Sequence, residues 1–422
     1  MDGGPSQAAV FHCIQSEGGT SMKYLLASAA VLAVAAPACA QDITLKPVAE
    51  ARLRYEHVDQ DGLSKEADAL TIRARAGLTA TSGAISATVV GQGTLAVVDH
   101  YYDGLNGAAI RPLVADPQNI ALYVAQLQYR SKAITLTAGR QKIALDDERF
   151  VGNVGFRDNA QTFDAVRAEL VPIKGLKLDV AYAWSVRTIW GVDGIGARQQ
   201  AVSGDNIFAN LSYAAPIGTI TGFAYLVDQD EAAVQAFRLS SQTYGVRLAG
   251  GGALSKTMKI GYQLSYARQS DYHANPNAYD ADYWLADATL EMKGWKLNGG
   301  YEVLGASDGL PFTSFQTPLG TNFKFQGWAG KFLTTPGNGV RDLYVGGSYG
   351  WKQMGPLIGV ALGASWHRFD ADRLNQHYGN EIDILASAKV RKAMLSIRYA
   401  HYDASTLATN TDKLWLQADW AI

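Results

Sequence analysis

Arginine recurs at every second position in two short stretches of the chain, as Arg52 and Arg54 and again as Arg73 and Arg75. That spacing puts each pair on one face of an extended strand. In the first stretch Glu50, Arg52, Arg54 and Glu56 alternate with Ala49, Ala51, Leu53 and Tyr55. In the second, Thr71, Arg73, Arg75, Gly77 and Thr79 alternate with Leu70, Ile72, Ala74, Ala76 and Leu78. Two chemistries suit such guanidinium rows. Planar forks in a wet, low-dielectric enclosure recognise carboxylates held in sequence along a solute. The same arginines can instead form an internal salt-bridge ladder, with Glu50 and Glu56 as partners, that stiffens a wall. The two roles are compatible.

Other charged residues of the same alternation extend the set. Arg130, Arg167, Lys177, Arg187, Arg247 and Arg398 join the basic side, and Glu169, Asp179, Asp287, Glu291 and Glu302 the acidic side. No catalytic constellation accompanies them, and neither an enzymatic activity nor a cofactor is expected. The triplet Asp146-Asp147-Glu148 lacks the alternate spacing of a calcium loop and reads as a solvated loop. Histidines such as His57, His100, His367 and His401 lack the paired spacing of a zinc site. Gly191 to Gly196 half mimics a nucleotide-binding loop, without the strand-to-helix context. A net charge of −2 gives no signal for nucleic acid.

The elements that must carry these residues are strands. One face of each is apolar and the other charged, as in a membrane barrel with a wet interior. Long and short connections alternate along the chain. Short ones fall at Ser82-Gly83, Ser131-Lys132, Pro172–Gly175, Ala215–Gly218, Gly250–Thr257, Lys293-Gly294, Gly350–Pro356 and Arg391-Lys392. Long ones fall near residues 59–68, 99–118, 144–160, 188–205, 229–240, 269–281, 305–340, 370–380 and 403–411. This alternation predicts an antiparallel barrel of about eighteen strands, with short periplasmic turns and long extracellular loops, wide enough for an aqueous channel. Outward aromatics, among them Tyr129, Trp184, Tyr213, Trp295, Trp366 and Trp420, cluster towards strand ends as interfacial girdles do. A one-residue slip of the first strand would turn Arg52 and Arg54 into lipid, at roughly 2–4 kcal/mol each. The loop at 305–340 is rich in aromatic and basic residues, Phe323, Lys324, Phe325, Trp328, Lys331 and Phe332 among them. It is the candidate for folding into the mouth as a constriction or gate.

The N-terminal segment reads as a targeting signal. Residues 1–21 form an upstream extension. Met22 to Ala40 carry Lys23, an apolar run and a small-residue cleavage site, so the mature chain begins near Ala40/Gln41 as a single barrel over 41–422. Both cysteines, Cys13 and Cys39, precede that point, so disulfides and thiolate sites are not expected. The outer membrane of a Gram-negative cell is the expected location, with its lipid and the barrel-assembly machinery as partners. A monomer is the simplest state and a trimer stays open.

Two longer stretches resemble the alginate-export family of outer-membrane proteins: Gly139 to Ile143 running on through Asp147–Arg157 to Gln161–Val166, and Gly320-Thr321 through Lys324–Ala329 to Lys331–Pro336. The resemblance covers nearly all of the mature chain. It implies an 18-stranded barrel that moves an anionic polysaccharide, its fragments or similar small anionic solutes past Arg52, Arg54, Arg73, Arg75, Arg130 and Arg167, with Glu50 and Glu56 in the same lumen. Exporting members use a long late periplasmic turn as a gate, whereas Arg391-Lys392 is short. That departure favours uptake or diffusion. A non-specific diffusion porin for small hydrophilic solutes is the alternative.

Overall fold

The computed structural model describes residues 42–421. The expected signal segment, its cleavage point and Ile422 lie outside the described residues. Eighteen strands follow in order: β1 (Thr44–Gln60), β2 (Ala67–Ser82), β3 (Ile85–His100), β4 (Asn119–Arg130), β5 (Ile134–Gln141), β6 (Thr162–Ile173), β7 (Leu176–Arg187), β8 (Ala201–Ala215) and β9 (Gly218–Val227). They continue with β10 (Ser241–Ser255), β11 (Met258–Asp271), β12 (Asp280–Met292), β13 (Trp295–Leu304), β14 (Val340–Met354), β15 (Leu357–Asp370), β16 (His377–Val390), β17 (Ala393–Ala404) and β18 (Thr411–Ala421). Each pairs antiparallel with its chain neighbours, and β1 closes on β18. An even strand number lets an antiparallel sheet close, and the start of β1 and the end of β18 then fall at one rim.

Alternation decides which face is which. Leu53, Ile72, Leu95, Leu264, Leu343 and Ile382 point outward and are exposed, while Arg52, Arg73, Asp342 and Glu381, on four of the same strands, point inward and are buried. A belt this apolar around the whole barrel needs lipid against it. Tyr129, Tyr213, Trp295 and Trp420 edge the belt towards the short-turn rim, and Tyr182, Trp184, Trp284 and Trp366 towards the long-loop rim. Closure sets Arg52 opposite Asp419 across the β1/β18 seam, where Nε donates to Oδ1 at 2.8 Å.

Two local features depart from what simple alternation and turn signals suggest. Tyr123 does not share the outer face of β4 with Leu127 and Tyr129. A bulge opposite Val90/Gly91 turns it inward, where the Arg75 guanidinium lies 3.9 Å over its ring. The glycines Gly250, Gly251 and Gly252 lie within β10, not in a turn, and the turn shrinks to Lys256-Thr257. The Tyr262 side chain covers Gly250, so the ladder survives where side chains are missing. Likewise β14 runs on to Met354 through Trp351.

The lumen is unequal along its length. Towards the short-turn rim the inner-face residues Lys259, Glu291 and Lys296 are exposed. Towards the long-loop rim the barrel is filled by its own loops, with Phe315, Phe323 and Phe332 of the β13–β14 loop and Val151, Arg157 and Asp158 of the β5–β6 loop all buried.

Candidate functional site: two inward loops between a basic and an acidic wall

The charged rows of the wall sort by position. Arg52, Arg54, Arg73, Arg75 and Arg398 come from β1, β2 and β17, whereas Asp287, Glu302, Asp342, Glu381 and Asp383 come from β12, β13, β14 and β16. Arg52 and Arg73 are direct cross-strand partners, a like-charge pairing that would be destabilising alone. Carboxylates offset it: Asp419 and Asp158 reach Arg52 at 2.8 and 3.5 Å, and Glu50 reaches Arg75 at 3.1 Å and Arg73 at 3.8 Å.

The basic wall grips the β5–β6 loop by its backbone. Arg52 Nη1 donates to the carbonyls of Phe156 at 3.1 Å and Arg157 at 3.3 Å. Arg54 donates to the Phe156 carbonyl and to Gln417 Oε1 at 2.9 Å, and pairs with Asp116 at 3.4 Å. Within the loop Arg157 pairs with Glu56 at 2.9 Å and Asp116 at 3.2 Å. Asp158 accepts from the Thr71 hydroxyl at 2.6 Å. Burial would push the Asp158 carboxyl up, but Arg54, Thr71 and Arg52 around it hold it below the usual carboxylate range.

Further round the wall, on β16, the acidic strands hold the β13–β14 loop by a backbone amide. Ala329 N–H donates to Glu381 Oε1 at 2.7 Å, and a side chain on Gly327 would collide with the same carboxylate. Gln326 donates to Glu302 at 2.7 Å, and Phe332 packs against Phe369, Tyr378 and Tyr402 of the wall. The loops then join each other. Arg149 pairs with Glu302 at 2.7 Å and donates to Asn322 at 3.3 Å; Gly152 N–H donates to the Leu319 carbonyl at 2.9 Å; Phe156 stacks on Phe323 at 5.4 Å. Glu148 accepts from Thr321 Oγ1 at 2.7 Å and pairs with Lys324. The result is one crossbar spanning the lumen, pinned by arginines at one end and by carboxylates at the other. Arg398 sits against it, its guanidinium 5.4 Å from the rings of both Phe156 and Trp328. Phe325 lies under Arg149 at 4.7 Å.

These contacts redraw several sequence expectations. Glu50 pairs with Arg75 and Arg73, but Glu56 pairs with Arg157 of the loop and not with the wall arginines. Arg167 binds Asp179 at 2.7 Å in the wide half of the lumen, and Arg130 is exposed at the short-turn rim, so neither reaches the crossbar. The Asp146-Asp147-Glu148 triplet keeps contact with solvent, Asp146 being exposed, but its carboxylates are paired rather than free. Arg247 takes Asp146 at 3.1 Å and Asp147 at 3.3 Å, Asn210 adds 2.9 Å to Asp146, and Lys324 takes Glu148. No group of three metal-binding side chains forms among the described residues. Sequence reasoning passed over Arg149, Arg157, Asp158, Asp116, Asp419 and Glu381. Glu381 and Asp419 share the alternation of their strands and were findable; the loop residues carry no period and were not.

The Glu148–Lys324 pair gives a testable latch. Burial would raise the Glu148 carboxyl, but the Lys324 ammonium and Thr321 hydroxyl hold it below the usual glutamate range. A depressed folded-state pKa contributes fully above the unfolded value and is lost as pH falls through the folded one. Channel conductance should therefore step up as the bath is taken from neutral to about pH 3. Glu148→Gln should show raised conductance already at neutral pH, with a smaller acid step. Identical acid profiles for the two proteins would show that this pair does not hold the loops together.

Neither a family model nor a curated protein matches the sequence. Solved structures match the fold over nearly its whole length. OpdL of Pseudomonas aeruginosa is 16% identical with a TM-score of 0.67, over 90% of this chain and 98% of that one. OccK9 (OpdG) of the same organism is 14% identical with a TM-score of 0.68, over 90% and 98%. OccAB4 of Acinetobacter baumannii is 13% identical with a TM-score of 0.67, over 91% and 99%. At such identity the likeness establishes the fold, the closed 18-stranded antiparallel barrel of outer-membrane porin structures. The resemblance to alginate-export proteins draws no support from it beyond the barrel.

Proposed function

We propose that the chain is an outer-membrane channel for small anionic solutes, selected where the crossbar narrows the lumen against the basic wall. The observation that carries this reading is that the loops leave part of the arginine charge unspent. Arg52 and Arg54 hold the β5–β6 loop, but Arg73 meets carboxylates only at 3.8 and 3.9 Å, and Arg398 has no ion pair among the described residues. Glu381 and Asp383 stand on β16, the strand next to Arg398 of β17, and Asp287, Glu302 and Asp342 lie further round the wall on β12, β13 and β14. Gathering basic side chains on one arc of the wall and acidic ones on the next arc sets up a lateral field, which orients a charged solute and favours anions on the arginine side.

The crossbar also bears on size. A polyuronate chain would need both loops displaced, with the Arg149–Glu302 pair and the backbone anchors broken, whereas a uronate monomer or another small carboxylate would not. Uptake of small anions, including fragments of anionic polysaccharide, fits better than passage of polymer. Reversal potentials in a salt gradient across planar bilayers test the selectivity: Arg73→Gln/Arg398→Gln should bring the anion-to-cation permeability ratio close to one, with conductance changed less than twofold. An unchanged ratio would refute the proposal and leave a general diffusion porin. In liposome swelling, glucuronate should enter faster than glucose and a long polyuronate should not enter at all.

A further inference from the structure

A second, separate anion site is built into the long-loop end of the lumen. A cavity of ≈ 560 Å³ lies there, bounded by the β13–β14 loop, the β7–β8 and β9–β10 loops and the start of β18, and none of its lining residues is an aspartate or glutamate. Its charged lining is Arg157, Lys331 and Lys413. Arg157 is spent on Glu56 and Asp116. The two lysines are not. Lys331 Nζ donates to Thr411 Oγ1 at 2.6 Å and lies 5.8 Å over the Tyr402 ring, and Lys413, two residues along the same inner face from Thr411, is 93% buried with no hydrogen bond or ion pair among the described residues. A buried ammonium without a partner is costly, so a counter-charge in the cavity would be strongly favoured. Across the cavity from the lysines, β7, β8 and the β7–β8 and β9–β10 loops supply the apolar side chains of Val186, Val202, Val234, Leu239 and Trp190, with Thr188, Gln199 and Gln229 among them.

We infer that this cavity binds an organic monoanion with an apolar body, its carboxylate between Lys331 and Lys413 and its hydrocarbon against the valines and Trp190. The inference rests on the channel reading, as the place where solute is first held before it meets the wall arginines. One negative charge suits the site because carboxylates outside the cavity, Glu56 and Glu381 near Lys413 and Glu381 near Lys331, already offset part of the lysines' charge. A sugar acid meets the same ammonium groups but leaves its hydroxyls against hydrocarbon, which is unfavourable.

Equilibrium dialysis of labelled hexanoate against the detergent-solubilised barrel tests this without requiring transport. Hexanoate should bind at least tenfold more tightly than glucuronate, which carries the same charge on a polar body. Lys331→Gln/Lys413→Gln should lose at least tenfold in hexanoate affinity, Lys413→Arg should retain most of it, and Arg73→Gln/Arg398→Gln should bind as the unaltered protein does. Retention of the folded band on unheated gels establishes that each variant is a barrel. Burial, with Lys413 nearby, pushes the Lys331 ammonium down to about 8, while Glu381 opposes the shift. Tyr402, Glu56 and Arg157 complete the charged and titratable surroundings, so hexanoate affinity should fall as pH rises through that value. Hexanoate binding that survives loss of the lysines but not of the arginines would overturn this site and leave the channel reading standing. So would equal affinity for glucuronate, or no binding at all. An unaltered protein that shows no anion preference in bilayers, with lysine-dependent binding intact, would instead remove the channel reading alone.

Discussion

Arg54→Ala should give a barrel of the same fold whose single-channel conductance is several-fold higher and whose anion preference is largely gone. Arg54 is 2% exposed and does four things at once: it caps the Phe156 carbonyl, donates to Gln417, meets Asp116, and lies 4.9 Å from the Phe156 ring. Its removal leaves Asp116 buried beside Arg157 alone. Breaking a buried pair from one side costs about 3–5 kcal/mol. The cost need not fall on the barrel, because β1 keeps its full antiparallel register with β2 and β18. It falls on the β5–β6 loop, whose alternative is to leave the wall and hydrate. Arg54→Lys should recover only part of the effect, since a point charge cannot serve the carbonyl, Gln417 and Asp116 with one planar fork. A conductance unchanged from the original would mean that Arg52 and Arg157 suffice to hold the loop.

Arg149→Ala should lower the temperature at which the folded band is lost on gels and open the channel as well, because Arg149 ties the β5–β6 loop to β13 and to the β13–β14 loop together. Both members of its pair with Glu302 are nearly inaccessible, at 2% and 3%. Glu302 also accepts from Tyr283 at 2.8 Å and Gln326 at 2.7 Å, so a lone carboxylate would remain inside the barrel with two neutral donors and no cation. The expected loss is about 3–5 kcal/mol for the single change. Arg149→Met/Glu302→Gln should recover a substantial part, since the uncompensated charge is then gone, and a double-mutant cycle would show a coupling well above 1 kcal/mol. Strict additivity would show that the pair is dispensable and that the Gly152–Leu319 and Phe156–Phe323 contacts carry the junction.

Both outcomes concern residues of which the sequence disclosed only part. The side of the wall taken by Arg52, Arg54, Arg73 and Arg75, the strand count, the alternation of turns and loops, and the girdles all follow from a period of two that each strand expresses locally. No partner is needed to read it. Local regularity misled where an extra residue broke the period, at Tyr123, and where glycines suggested a turn, at Gly250–Gly252. Of what the arginines hold, only the pairing of Glu50 with Arg73 and Arg75 was readable. Arg52 meets Asp419 across 367 residues and the Arg157 carbonyl across 105, and Arg149 meets Glu302 across 153. Those meetings exist because the sheet closes on itself and returns two loops through its own interior. The sequence by itself determined the faces of the strands and their number, because burial against lipid or water acts residue by residue. Which charge each arginine spends, and which it keeps for a solute, was decided by closure, because only the finished barrel brings distant segments within reach of one another.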